Sequence, residues 1–286
     1  MFAGETDAGS QLWTVRPDGT RLRQITHVPG GAGQPDWSPD GRTIAFEWDV
    51  PSPDGPHVQI GLVDADGSHL RALPIDPGAC VNGQPTFTAD GQHVVYERYD
   101  CGTDDALFSR ALHGNAVHRL TAASPDGASE PNAAPDGTSL SYVRFDHGVE
   151  YQQALTVSDM HGRHAHDLVP PSFDVGIKTG WSPDSRQIAF TRDANPDPNT
   201  GLLQANVATI AADGSDLQTL THYSGGRLSA FAGSYSPDGR RIVFRLQDND
   251  AGTSGVWTMR ADGSDPVLLF SRPGLRARGI DWGPRE

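Results

Sequence analysis

One template recurs six times along the chain: an aromatic residue, Ser-Pro-Asp-Gly, a strand, an acidic loop, a strand, x-Asp-Gly and a further strand. The first marker reads WSPDG at 37–41, FTADG at 87–91, AAPDG at 133–137, WSPDS at 181–185, YSPDG at 235–239 and WGP at 282–284. The second marker is a glycine at 19, 67, 114, 162, 214 and 263, preceded by Asp in four copies and by His113 and His161 in two. Two independent markers holding one phase over the whole length make the repeat the architecture of the chain rather than an ornament on it.

Each marker has a mechanical reason. Asp-Gly between alternating strands is a tight hairpin turn, because glycine takes positive φ at little cost. The preceding proline fixes φ and stops ladder donation. Strands such as TIAFEWD (43–49), QIAFTRD (187–193) and RIVFRLQD (241–248) follow the first turn, and QIGLVD (59–64) or GVWTMR (255–260) follow the acidic loop. The unit is four antiparallel strands, the size of one propeller blade. The pattern therefore predicts an all-β, six-bladed β-propeller of four-stranded antiparallel blades as a single domain over 1–286. The chain starts mid-unit, so residues 1–26 plus 278–284 are expected to form one blade as three strands plus one. Setting Asp7 over Asp49 lays Phe2–Asp7 on Ile44–Asp49. Such closure removes two sheet edges that would otherwise template aggregation.

The recurring W-S-P-D-G-x-x-I-A-F, followed by x-Asp-Gly and L-T, resembles the TolB-like, WD-related propeller repeat over essentially the whole chain. Departures are Ala133 at an aromatic position, Ala89 for Pro, Ser185 for Gly and the two His-Gly turns. Relatives carrying this repeat include periplasmic partner-binding proteins, sensor domains and the propeller of prolyl-oligopeptidase-like enzymes. The resemblance thus implies an extracytoplasmic binding propeller that is not itself catalytic. Two alternatives stay open: a lyase or hydrolase with its site at the channel mouth, and the sensory ectodomain of a larger membrane protein. The chain has no G-x-S-x-G elbow of the kind that places a hydrolase serine.

Charge narrows the partners. With 22 Lys+Arg against 36 Asp+Glu the net charge is −14, which disfavours nucleic acid and anionic membrane surfaces. A protein, peptide or saccharide ligand is expected. No apolar run approaches the ~18 residues of a membrane span, so direct membrane insertion is not expected. The start MFAGETDAGS lacks the pattern of a signal peptide, and any signal or anchor is expected to lie outside this chain, which should be a monomer.

Both Asp-Gly turns fall on one face of the propeller, and the opposite face carries the loops that stop repeating. A carboxylate closes each second strand (Asp7, Asp49, Asp100, Asp146, Asp193, Asp248) and reads as a cap on loop N–H groups, with a cation-binding ring as the alternative. The positions three before each repeat aromatic should line the channel mouth: Gln34, Gln84, Glu130, Lys178, Ala232 and Gly279. The first four are the candidate ligand-binding residues, because they are polar and differ between blades. Lys178 is the only lysine. Asp193, Asn195, Asp197 and Asn199 space oxygen ligands like a calcium loop, yet Pro198 replaces the glycine and Gln204 the bidentate Glu. A polar surface loop without a cofactor is the expectation there, and Ca²⁺ the alternative. His27, His57, His147 and His222 can reach the loop face but show no ligand spacing. Cys80 and Cys101 flank a hairpin centred on Asp90-Gly91 and sit opposite one another if its ladder extends that far. A disulfide is expected, implying an oxidising compartment, with two free thiols as the alternative.

Overall fold

The computed structural model describes residues 1–51, 57–74, 81–99, 105–122, 127–146, 152–172, 175–194 and 204–284. Among them every regular element is a β-strand, and the strands form an antiparallel propeller of four-stranded blades. In the first blade Gly31–Trp37, Thr43–Val50, His57–Asp64 and Arg71–Ala72 pair in chain order. Blades over 81–119, 128–172, 175–219 and 228–270 repeat the plan. The first two merge into one eight-stranded sheet through a single parallel pair, Val58↔Val81. In the remaining sheet Arg276–Ile280 pairs antiparallel with Phe2–Thr6, followed by Gly9–Thr14 and Arg23–Gln24.

The repeat motif builds each hairpin from its own atoms. The Ser38 hydroxyl donates to Asp40 Oδ1 (2.7 Å), the Arg42 N–H donates to the same oxygen (3.0 Å), and the Gly41 N–H donates to the Ser38 carbonyl (2.9 Å). The Ser38 bond is the main cause that holds the Asp40 carboxyl below the usual range. The same cage recurs at 182–186 and 236–240. At the second marker, Ser68 N–H and Oγ both donate to Asp66 Oδ1 (2.9 and 2.6 Å), and Asp213 and Asp262 do likewise with their serines.

The turns also join neighbours. Gly41 sits at φ 69°, and a Cβ there would stand 2.7 Å from Pro284 of the terminal sheet. Gly91 meets Pro39, and Gly239 meets Pro183, in the same way. Where the motif departs, the contact is rebuilt: Ser185 takes φ 58° in place of glycine and its hydroxyl accepts the Asp136 N–H (3.0 Å).

A large aromatic at one register position (Phe2, Phe46, Tyr96, Phe190, Phe244) is fully buried between sheets, each worth about 2–3 kcal/mol of apolar burial. Successive apolar clusters carry the core from one sheet to the next. The terminal sheet is held on both sides: Leu12 and Ala3 pack with Ile44 and Phe46, and Phe2 and Ile280 pack with Val243 and Val256. Asp281, buried among these, accepts from the Trp37 N–H (3.2 Å) and from the Ser234 hydroxyl (2.7 Å), so one carboxylate ties three sheets.

One sequence expectation needs correction, the alignment of the first strand. Phe2 pairs with Trp13 as Phe46 pairs with Gly61, so Phe2 overlies Phe46, two places from the alignment on the terminal Asp. The hairpin after Phe2–Thr6 closes at Thr6↔Gly9, whereas that after Thr43–Val50 runs on to Val50↔His57; unequal hairpins shift the apparent register. By the same measure Asp7, Asp49 and Asp248 stand five, three and four places beyond their buried aromatics. Side chains alternate faces along a strand, so these three carboxylates do not hold one common register position. Asp248 does cap, accepting the Asp250 and Ala251 N–H groups (both 3.1 Å).

Candidate binding site at the channel mouth

The inner strands carry G-Q-P at 33–35 and 83–85 and S-E-P at 129–131. In each, the ladder slips at this point, between Gly33 and Asp36, Gly83 and Thr86, and Ser129 and Asn132. Gln34, Gln84 and Glu130 then take φ of 40°, 51° and 51°. The left-handed region costs a residue with a Cβ roughly 1–2 kcal/mol, so three blades hold the same strain at the same place, and Gly279 adopts it (φ 43°) without the penalty. Stored backbone strain of this kind clusters at ligand sites.

The side chains so aimed meet. Gln84 Nε2 donates to Glu130 Oε1 (2.8 Å), Gln34 Nε2 reaches the same oxygen (3.4 Å), and the Glu130 N–H donates back to Gln84 Oε1. Gln34 thereby reaches from the first blade to Glu130 in the third. The structure brings together three of the four residues expected at the mouth. Lys178 lies in the matching inner strand, Val175–Trp181; its side chain, like that of Asp193, lies outside what is described. Asn195, Asp197, Asn199, Cys80 and Cys101 also lie outside the described residues.

Two further carboxyls complete the site. Glu47 Oε1 accepts the Gln84 N–H (2.8 Å), and it can approach because position 83 is glycine: a Cβ there would stand 2.7 Å from that oxygen. Burial, then the negative charge of Glu130, pushes the Glu47 carboxyl up to about 7. Glu97, one blade on at the same register position, is pushed up to about 8 by burial, then by Glu130, Asp105 and Glu47. At neutral pH the mouth thus mixes protonated and ionised carboxyls with two carboxamides, a surface that accepts cationic and hydrogen-bond-donating groups. In the fifth blade that register position holds Arg245, whose guanidinium lies 3.8 Å from the Phe231 ring centroid and is pushed down to about 10 by burial and Arg278. Among the described residues no group of three or more His, Cys, Asp or Glu is placed to hold a metal ion. Glu47 and Glu97 escape a motif-based reading because the second strand stands one place from the channel; the G-Q-P at 83–85, whose glycine lets Glu47 approach, is the signal that finds Glu47.

The sheets, the hairpin cages and the strained inner strands define an all-β propeller with its candidate site at one end of the channel. The chain is 30% identical over 132 residues to the Tol-Pal system protein TolB of Nitratidesulfovibrio vulgaris, covering 46% of this chain and 28% of that protein. Its fold matches TolB from Acinetobacter baumannii with a TM-score of 0.77 at 19% identity, over 99% of this chain and 66% of that one. A putative TolB from Agrobacterium tumefaciens matches with a TM-score of 0.73 at 19% identity, over 94% and 92%. An oligogalacturonate lyase in complex with manganese matches with a TM-score of 0.61 at 15% identity, over 96% and 75%. No family model matches the sequence. The chain shares the β-propeller fold of these TolB structures and resembles TolB in sequence over part of its length. It spans between 25% and 32% of the length of the curated relatives it matches.

Proposed function

We propose that the chain is an extracytoplasmic, non-catalytic binding propeller whose channel mouth receives a protein partner. The observation that carries this reading is the Gln34–Glu130–Gln84 network: carboxamides from two blades converge on the carboxylate of a third. Lys178 is assigned to the same mouth. A basic or hydrogen-bond-donating segment of the partner fits the three carboxyls best, and a peptide or saccharide would meet the same groups. The protein partner is favoured by the likeness to Tol-Pal system proteins, and so is the extracytoplasmic location. As architecture we propose six blades in a single domain, 1–286, closed by the 1+3 sheet of the two ends. Supporting it, the eight-stranded sheet divides naturally at the lone Val58↔Val81 pair, and Asp281 and Pro284 dock the terminal sheet on the first blade. A monomer is proposed with it.

A photo-crosslinking residue placed at position 34, compared with one at position 67 on the Asp-Gly face, tests the reading. Crosslinks to a partner in extracytoplasmic extract should arise from position 34. Crosslinks from position 67 alone would assign the function to the other face.

A second reading rests on Glu97. A carboxyl held protonated near neutral pH beside an ionised one is the arrangement of a general acid with its base, which would make the mouth a lyase or hydrolase site. Under that reading Glu97→Gln abolishes turnover of a substrate, whereas under the first there is no turnover to lose and the substitution only weakens partner binding.

A further inference from the structure

We propose that the sheet of the two termini holds a second site, for a neutral saccharide, apart from the channel mouth. A cavity of about 310 Å³ opens there, lined chiefly by Gly4, Thr6, Gln11, Trp13, Gln24 and His27. That volume lies at the lower end of small-ligand pockets, roughly 300–1,000 Å³. None of its lining residues is Asp, Glu, Lys or Arg, although the chain carries a net charge of −14. A phosphate or a uronic carboxylate would find no cation in it, and an ammonium would find no carboxylate.

The walls are fixed by bonds that leave the ligand-facing groups free. Thr6 Oγ1 donates to the Gly9 carbonyl (3.1 Å) and accepts the Ala8 N–H (3.2 Å), which sets the hairpin rim. The Gln11 carboxamide donates to the Val28 carbonyl (2.8 Å) and accepts from the Val28 N–H (3.0 Å) and the Thr26 hydroxyl (2.9 Å), which fixes the opposite rim. Gln24 Nε2 donates to the Thr26 carbonyl (2.8 Å) and to His27 Nδ1 (3.0 Å). Because Nδ1 accepts, the neutral His27 ring carries its proton on Nε2 and offers it as a donor. Gln24 Oε1 remains as an acceptor. Trp13 Nε1 is buried without a hydrogen-bond partner. It lies against Gly4, where a Cβ would stand 2.7 Å from it, so the backbone of Gly4 covers this N–H and only the indole ring is offered to the cavity.

An aromatic ring, a donor at His27 and an acceptor at Gln24 Oε1, with no Asp, Glu, Lys or Arg among the lining, match a sugar ring: its C–H face packs on the indole, and adjacent hydroxyls both donate and accept. Nothing in this set is shared with Gln34, Gln84 or Glu130, so the saccharide site stands or falls independently of the channel mouth.

Isothermal titration and saturation-transfer NMR of the intact chain with cellobiose and chitobiose test it, with digalacturonate as the charged comparison. The neutral disaccharides should bind. Gln24→Ala and His27→Ala should each weaken binding about tenfold, the loss of one ligand hydrogen bond, with unchanged melting temperature. Digalacturonate should bind more weakly than either neutral sugar. The proposal is overturned if the folded wild-type chain takes neither neutral sugar, if binding survives Gln24→Ala and His27→Ala unchanged, or if digalacturonate is preferred.

Discussion

Replacing Glu97 with Gln should stabilise the protein, and only at neutral to alkaline pH. In the folded chain burial, reinforced by Glu130, Asp105 and Glu47, raises the Glu97 carboxyl from 4.5 to about 8. The folded state therefore keeps a proton that the unfolded chain releases above its own, lower value. Where the folded state binds more protons, stability falls as pH rises. The loss begins near pH 4.5 and is complete above about pH 8. Each pH unit in that window is worth about 1.4 kcal/mol, a ceiling of about 5 kcal/mol. Glu97 is half-buried rather than sealed, and solvent in the channel screens its neighbours, so about 2–3 kcal/mol is expected. Glutamine keeps the shape of the protonated acid and cannot ionise. Urea unfolding of wild type and Glu97→Gln at pH 5, 7 and 8.5 should give equal stabilities at pH 5 and a growing advantage for the variant above it. Parallel pH profiles, or a variant weaker at pH 8.5, would refute the reasoning that Glu97 is buried against like charge.

Other outcomes follow from single contacts. Asp281→Ala leaves the Trp37 N–H and the Ser234 hydroxyl without their shared acceptor and should cost about 2–4 kcal/mol, read as a lowered urea midpoint. Gly41→Ala forces a Cβ against Pro284 at φ 69° and should lose about 1–2 kcal/mol, visible in thermal melts, whereas Gly252→Ala, with open space at φ 61°, should lose about 1 kcal/mol or less. Cys80 and Cys101 should give no titratable thiol in the unreduced, denatured protein; two thiols would rule out the bridge and its oxidising compartment.

The scaffold was legible because its parts are repeated and local. Asp40, Asp184 and Asp238 close their turns with serines two residues away, so the motif alone carries the geometry. Register was less legible: aligning on Asp7 misplaced Phe2 by two residues, because hairpin length is set by loops that vary freely, whereas the buried aromatic is pinned by packing on both neighbours. Of the site, Gln34, Gln84 and Glu130 could be found by counting back from the aromatics, since variation inside a strict repeat stands out. Their left-handed backbone could not, because a bulge depends on the partner strand. Glu47 and Glu97 were hidden because they stand on second strands; Glu47 comes close to Gln84 past Gly83 of the next blade, and that is a relation between blades rather than within one. The cavity at Trp13 combines residues from three strands and a connector, none of which carries a motif.

The assignment of function to the channel mouth is tested most directly by quantitative capture from an extracytoplasmic extract. Wild type, Glu130→Ala with Gln84→Ala, and a chain altered at the Asp66-Gly67 and Asp213-Gly214 turns would be compared side by side, each first shown to be folded. The account predicts a partner retained by wild type and by the turn variant and lost from the mouth variant, with association slowed by added salt more than dissociation is hastened. A partner that survives Glu130→Ala with Gln84→Ala yet disappears when the turns are altered would place the binding face at the opposite end of the channel.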